Sequence, residues 1–388
     1  MKPAGTTLAA VLTLVVALLA GTRDARTQAA LSALPATPDA PPDNPTTPEK
    51  VELGRLLFWD PVLSGDQDVA CATCHHPRFG YAEDRDLSIG ASGHGLGASR
   101  QFAPGSAIPL VKRNSQTVLN VAFNGIANTG QLDPAAAPMF WDMRVRTLET
   151  QALEPIKALE EMRGAGITED RIVEVVVARL AAIDDYRARF ARAFGGTNPV
   201  TPVNLGRALA SFQRSLLANH SPFDRYRRGE ADAMTPAQIR GLARFERAGC
   251  ANCHNGPMFS DFTVHVLGVP DNRALPVSDT GVNGTYAFRT PSLRNLAFTA
   301  PYMHNGVFRT LDDVLDFYDA VQGRGGRGGR GRRNPNVGRG QLDPLLRRVN
   351  VNGERDLLAF LGALNDPGFD RTIPVSVPSG LMPGGRIE

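Results

Sequence analysis

The chain has 388 residues, 42% of them hydrophobic and 21% charged, a globular composition with room for two domains of ordinary size. Its formal net charge of +3 is misleading, because Arg324, Arg327, Arg330, Arg332, Arg333 and Arg339 crowd one acid-free stretch. Without them the chain is acidic, which excludes a general nucleic-acid binder.

The N-terminus carries Lys2 and then an apolar run from Leu8 to Ala20. That run is shorter than the ~20 residues a membrane span needs, so residues 1–29 are expected to be a cleaved secretory signal. An uncleaved anchor is the alternative, and no cysteine follows that could carry a lipid. No stable membrane insertion is expected, and the predicted location is the periplasm. Residues 30–48 are proline-rich and predict an extended linker.

Two stretches dominate the rest. Cys71-Ala72-Thr73-Cys74-His75 returns as Cys250-Ala251-Asn252-Cys253-His254, and these hold all four cysteines of the chain. Two thiols separated by two residues and followed by histidine form the attachment signature of a c-type haem. The thiols add to the haem vinyl groups, and the histidine supplies the proximal ligand to iron. Zinc knuckles pair at other spacings, and a thioredoxin-type pair does not explain a histidine after both copies. The sequence therefore predicts two covalent haem c groups, ligated by His75 and His254. Covalent haem attachment outside the bacterial cytoplasm agrees with secretion.

In chain order, Thr47-Pro48 predicts a helix start, with Val51, Leu53, Leu56 and Leu57 on its apolar face. His76 is read as a surface residue. The glycine-rich stretch 87–109 predicts a loop, in which His94 is either exposed or a second axial ligand to the first haem. Residues 148–162 predict one helix carrying Gln151, Pro155 and Glu161, preceded by Trp141, which is either core or functional. Further helices are expected over 203–217, from Thr235-Pro236 into the second motif, from Thr310 through Tyr318, and over 354–364. Residues 221–224 predict a turn, 301–306 a loop with His304 as a hydrogen-bonding residue, and 323–340 an Arg/Gly disordered segment.

An internal duplication distinguishes the two haems. Arg146-Thr147-Leu148-Glu149 recurs as Arg309-Thr310-Leu311-Asp312, and Arg113–Asn120 is echoed by Arg289–Asn295. In this register Pro155 corresponds to Tyr318. A phenol can bind iron, whereas proline has no side-chain donor. The second haem is then capped and the first open, beside an amide (Gln151) and a carboxyl group (Glu161) suited to moving a proton between peroxide oxygens. Met303 is the rival ligand for the second haem, since thioether ligation is common in electron-transfer cytochromes.

Together the two motifs, Phe140-Trp141-Asp142, the Gln151/Pro155/Glu161 spacing and Ala300–Gly306 resemble the bacterial di-haem cytochrome c peroxidases and the MauG group. The resemblance implies a mainly α fold of two cytochrome-c-like haem domains around a shared interface: residues 49–200 peroxidatic, 201–388 electron-transferring. It implies Trp141 as relay between the haems, with Gln151, Pro155 and Glu161 lining the peroxidatic pocket. It also implies a calcium ion held by the Asn114 side chain and the carbonyls of Thr299 and Pro301. The expected activity is reduction of hydrogen peroxide to water with electrons from a small cytochrome c or cupredoxin, in a possible homodimer. One alternative is a MauG-like enzyme that uses peroxide-derived high-valent iron to oxidise a protein or organic substrate; another is a non-catalytic di-haem electron carrier. Tyr318 stands where the peroxidases have methionine, as in the MauG group. Ala248 stands where that group has the tryptophan through which its protein substrate's electrons enter.

Overall fold

A computed structural model describes residues 31–323, 333–351 and 354–388. The expected signal segment 1–29 and residues 324–332 of the Arg/Gly stretch lie outside these. The chain is helix-rich, and the strands among the described residues form three antiparallel two-residue pairs. No described helix is long and apolar enough to cross a membrane.

Local capping sets the main helices. Helix α1 (Pro48–Trp59) starts at Thr47, whose hydroxyl accepts from the Lys50 N–H. Then come α2 (Glu169–Ala182), α3 (Asp184–Phe194) and α4 (Pro202–Ser215), the last capped by Thr201. Helix α5 (Pro222–Arg227) replaces the turn expected at 221–224, because Ser221 and Asp224 close a reciprocal capping box that carries the chain into helical geometry. A second box, Thr235 with Gln238, opens α6 (Pro236–Arg247). Helices α7 (Leu311–Val321) and α8 (Glu354–Gly362) complete the set.

Two main apolar cores result. The first packs α1 against α2, α3 and α4, with Phe58 meeting Phe212 edge-on at 5.2 Å. The second surrounds α6 and α8, where Phe223, Phe245, Phe259 and Phe360 interlock at ring distances of 5.1–6.0 Å.

The cores do not divide at residue 200. Helix α4, expected in the second domain, buries Leu205, Leu209 and Phe212 in the first core. The C-terminal residues Phe369 and Val377 return there as well. Nor is 30–48 a free linker. Leu31 is buried in the second core, the Leu34 N–H donates to Asp224 at 3.0 Å, and buried Asn44 donates to Glu149 at 2.8 Å. The two ends of the chain therefore cross: the N-terminal strap completes the second core and the C-terminal tail completes the first. Residues 333–340, expected to be disordered, are also packed. Asn334 and Val337 are buried, and the Asn334 N–H donates to the Gly268 carbonyl at 2.9 Å.

Candidate functional site

Each motif opens onto its own cavity. The first, about 1690 Å³ with its open mouth included, is lined by Cys71, Cys74, His75, Gln151, Pro155 and Glu161 among others. The second, of about 1490 Å³, is lined by Cys250, Cys253, His254, Met303 and Tyr318. Trp141 and Arg289 line both.

The two histidines are held alike. Nδ1 of His75 lies 3.1 Å from the Tyr81 carbonyl, and Nδ1 of His254 lies 3.0 Å from that of Phe259. A carbonyl only accepts, so Nδ1 carries the proton and Nε2 keeps its lone pair for a metal. Burial pulls both imidazoles below the usual histidine range, which keeps them neutral and able to ligate. Burial likewise pushes the Cys71 thiol up to about 12 and Cys250 up to about 11, so these sulfurs are protonated apolar groups. A paired thiol set, a neutral imidazole and a largely apolar chamber together fit a haem at each motif.

The duplication persists in local structure. Thr147 and Thr310 both cap helices, and Asn120 and Asn295 both adopt the left-handed conformation at φ 60° and 63° before a 3₁₀ turn. Pro155 and Tyr318, each eight residues past its capping threonine, each face a cavity. The helix expected over 148–162 is broken in one copy and continuous in the other. Pro155 lacks the N–H that would reach back four residues, so the chain runs as Leu148–Gln151, Glu154–Lys157 and then a π-helical turn, Leu159–Arg163.

That π turn aims Glu161 at the first cavity. The Ala91 N–H donates to the Glu161 carbonyl at 2.9 Å, and the Gly65 N–H to that of Met162 at 2.9 Å. A Cβ at Gly90 would run into the carbonyl oxygens of Glu160 and Glu161, so only glycine allows this approach. Buried Arg100 fixes the same loop, donating to the Ile89 and Gly90 carbonyls at 2.5 and 2.8 Å. Burial, reinforced by the neighbouring Glu160 charge, pushes the Glu161 carboxyl up to about 7. Burial also raises the Tyr318 hydroxyl above the ordinary phenol range.

Trp141 is buried between the cavities, its Nε1 donating to the Asn114 carbonyl at 2.9 Å. The Asn114 N–H donates in turn to the His304 carbonyl at 2.7 Å, so residue 114 lies against the loop that contains Thr299 and buried Pro301. The Asn114 amide nitrogen donates to the carbonyls of Arg85 and Asp86. His304 is buried and stacks on Phe288 at 3.7 Å. His76, expected on the surface, is buried instead: its ring meets Trp59 edge-on at 5.4 Å, and burial pulls it down to about 4. His94 is exposed, pairs with Gln101 on a short ribbon, and does not line the first cavity.

Two charged groups escaped the sequence reading. Arg113 bridges Asp142 at 2.7 Å and Asp279 at 2.5 Å, joining residues 166 positions apart. His265 lies between Asp261 at 2.9 Å and Asp343 at 2.6 Å, with the Cys253 sulfur at 3.9 Å. Burial opposes its charge, but these partners hold it up to about 11. An Asp261/His265 spacing of four was the one signal in the sequence; Asp343 is reached only through the fold.

The family profile for di-haem cytochrome c peroxidase matches residues 48–232. The chain is 34% identical to a methylamine utilization protein MauG of Methylorubrum extorquens, over 85% of this chain and 82% of the relative. It is 33% identical to the cytochrome c551 peroxidase of Pseudomonas aeruginosa, over 70% and 72%. Among solved structures, a MauG-like protein associated with microbial copper homeostasis superposes with a TM-score of 0.67 at 29% identity, over 86% of this chain and 95% of that one. The diheme peroxidase BthA of Burkholderia thailandensis gives 0.63 at 26%, over 92% and 98%. The chain belongs to the di-haem cytochrome c peroxidase and MauG family, which implies two haem groups.

Proposed function

We propose that the protein reduces hydrogen peroxide at the first cavity, with electrons delivered through the second by way of Trp141. The observation that carries this reading is the asymmetry at equivalent positions. The first cavity presents Pro155, which cannot ligate, together with Gln151 and Glu161; the second presents Tyr318 and Met303. The haems, attached through the two thiol pairs, supply the redox-active iron. Splitting the peroxide O–O bond consumes two electrons and two protons and leaves two waters. Glu161 takes a proton from one peroxide oxygen and returns it to the other, while Gln151 orients the substrate by hydrogen bonding. Trp141, common to both walls, is the relay.

Electrons come from a small cytochrome c or cupredoxin in the periplasm, and calcium occupies the Asn114, Thr299 and Pro301 donors at the junction of the halves. The protein of Pseudomonas aeruginosa, named a cytochrome c551 peroxidase, supports the donor class. Tyr318 favours a second reading, in which peroxide equivalents oxidise an organic or protein substrate as the MauG resemblance implies. Buried Ala248 offers no aromatic entry point for a protein substrate's electrons, so peroxide reduction leads.

An optical spectrum of the diferric holoprotein before and after stoichiometric peroxide tests the open first site. A prompt change is expected; silence until one electron is added would overturn it. Tyr318 is tested by Tyr318→Met. An anionic phenolate favours ferric iron and a neutral thioether does not, so the second haem's midpoint should rise. An unmoved redox titration would assign that haem to Met303 instead. A tyrosine-to-methionine variant of the related BthA has itself been solved, which makes the exchange a practicable one to attempt here.

A further inference from the structure

Arg289 stands in the wall common to the two cavities, next to Trp141, and is 5% exposed. Its backbone N–H donates to the Trp141 carbonyl at 2.7 Å. Its Nε donates to the Phe140 carbonyl at 3.0 Å, and Nη2 to Oε1 of Gln116 at 3.3 Å. All of these acceptors are neutral. The aspartates of the two walls are engaged elsewhere, Asp142 and Asp279 on Arg113 and Asp343 on His265, and Arg289 forms no ion pair with Glu160 or Glu161 in the first wall. The guanidinium carbon stands 5.7 Å from the centre of the Phe262 ring, and burial pulls the group down to about 10.

Other buried or half-buried arginines show the contrast, and buried Arg214 pairs with Glu149 at 2.7 Å. Arg294 forks onto both oxygens of Asp224, and Arg113 carries two aspartates. Arg100 donates to four backbone carbonyls. A buried cation with only two neutral acceptors is expensive unless an anion arrives from outside the chain. A guanidinium fork between two ligand chambers is matched in shape and charge to a carboxylate.

We propose that Arg289 is a carboxylate-binding residue shared by the two cavities, pairing with haem propionates and raising the reduction potential of both sites. This rests on the two-haem reading above. Reduction lowers the charge on iron by one, so a nearby fixed cation favours the reduced form at either site.

The test compares holoprotein variants Arg289→Gln and Arg289→Lys with the parent. Haem content is counted first, then both midpoints are titrated and propionate bending bands recorded by resonance Raman. Arg289→Gln should move both midpoints negative by at least a tenfold change in the ferric-to-ferrous ratio, about 59 mV for one electron. Arg289→Lys keeps the charge and loses the fork, so it should retain most of the potential while shifting the propionate bands. Unmoved midpoints in a protein carrying two haems would overturn the proposal, and a shift at one haem alone would overturn the shared role. Unmoved bands would show that Arg289 acts without touching a propionate, or binds a free anion, and would overturn the pairing. If Arg289→Gln fails to load, the lysine variant's bands decide. Fewer than two haems in the parent protein would instead overturn the reading beneath the proposal.

Discussion

Replacing Glu161 by glutamine should slow peroxide turnover by about 10²–10⁴-fold while leaving both haem attachments intact, the range expected for a lost general acid–base group. The substitution keeps the shape of the side chain and its place on the π turn, which the Gly65 and Ala91 backbone bonds hold independently of the carboxyl group. Only the titratable proton is lost. Because Glu161 must be ionised to accept a proton from peroxide and titrates near 7, the parent rate should rise with pH through about 7 and then level off. The variant's rate should be flat across that window. Stability moves the opposite way. A carboxyl group raised by burial contributes stability that is fully present below its unfolded value of 4.5 and is lost as pH rises through about 7. Glu161→Gln should therefore lose activity yet be relatively more stable than the parent at pH 8. Unchanged turnover, or the same pH profile in both proteins, would remove Glu161 from the chemistry.

Asp224→Ala should cost about 3–5 kcal/mol of stability, the range for breaking a buried ion pair from one side. The Asp224 carboxylate receives both arms of Arg294 at 2.8 and 3.0 Å, the Leu34 N–H at 3.0 Å, and the Ser221 N–H and hydroxyl at 3.2 and 2.6 Å. Both charged side chains are buried. Removing the carboxylate strands the guanidinium, opens the capping box of α5 and unhooks the N-terminal strap together. Denaturant unfolding of the holoprotein, followed by far-UV circular dichroism, reads the effect as a lower midpoint. A double variant, Asp224→Leu with Arg294→Met, should recover much of the loss, since an apolar pair of similar volume carries no stranded charge. A loss below about 1 kcal/mol in the single variant would show that water reaches Arg294 and satisfies it.

Those two residues also mark what the sequence could and could not disclose. The two Cys-x-x-Cys-His stretches are legible because the spacing expected for covalent haem attachment is written within five consecutive residues. The helix starts at Thr47, Thr235 and Thr310 are legible because a cap is satisfied within three residues of its own chain. The duplication register is legible too, and it placed Pro155 and Tyr318 at matching walls before any coordinates. What fails is everything that depends on a distant partner. Leu31 and Leu34 look like isolated apolar residues among prolines until the second core and Asp224 meet them. His76 looks exposed beside a ligand until Trp59 covers it. The π turn at Glu161 has no signature of its own, and it depends on backbone bonds from Gly65 and Ala91, some 70–100 positions away. Helices α2 and α3 have capable acidic first turns but lie between more conspicuous motifs, and the sequence reading passed over them.

The crossed ends of the chain set an order of assembly. Leu31 lies early in the chain but has no place to dock until residues beyond 220 exist, and Leu34, which meets Phe123 and Ile126, still waits for Met258 and the Asp224 carboxylate. Conversely, the first core stays open at the places later filled by Phe369 and Val377, and the Thr73 hydroxyl waits for the Gly384 carbonyl, which it meets at 2.8 Å. The first attachment motif is thus synthesised about three hundred residues before the tail that closes around it. Its two half-buried thiols stay uncovered on that side until the last segment arrives, so any chemistry on them and closure of the first core are separated by the topology itself. Cutting the chain between the halves would forfeit that timing and leave each fragment short of the piece that the other carries.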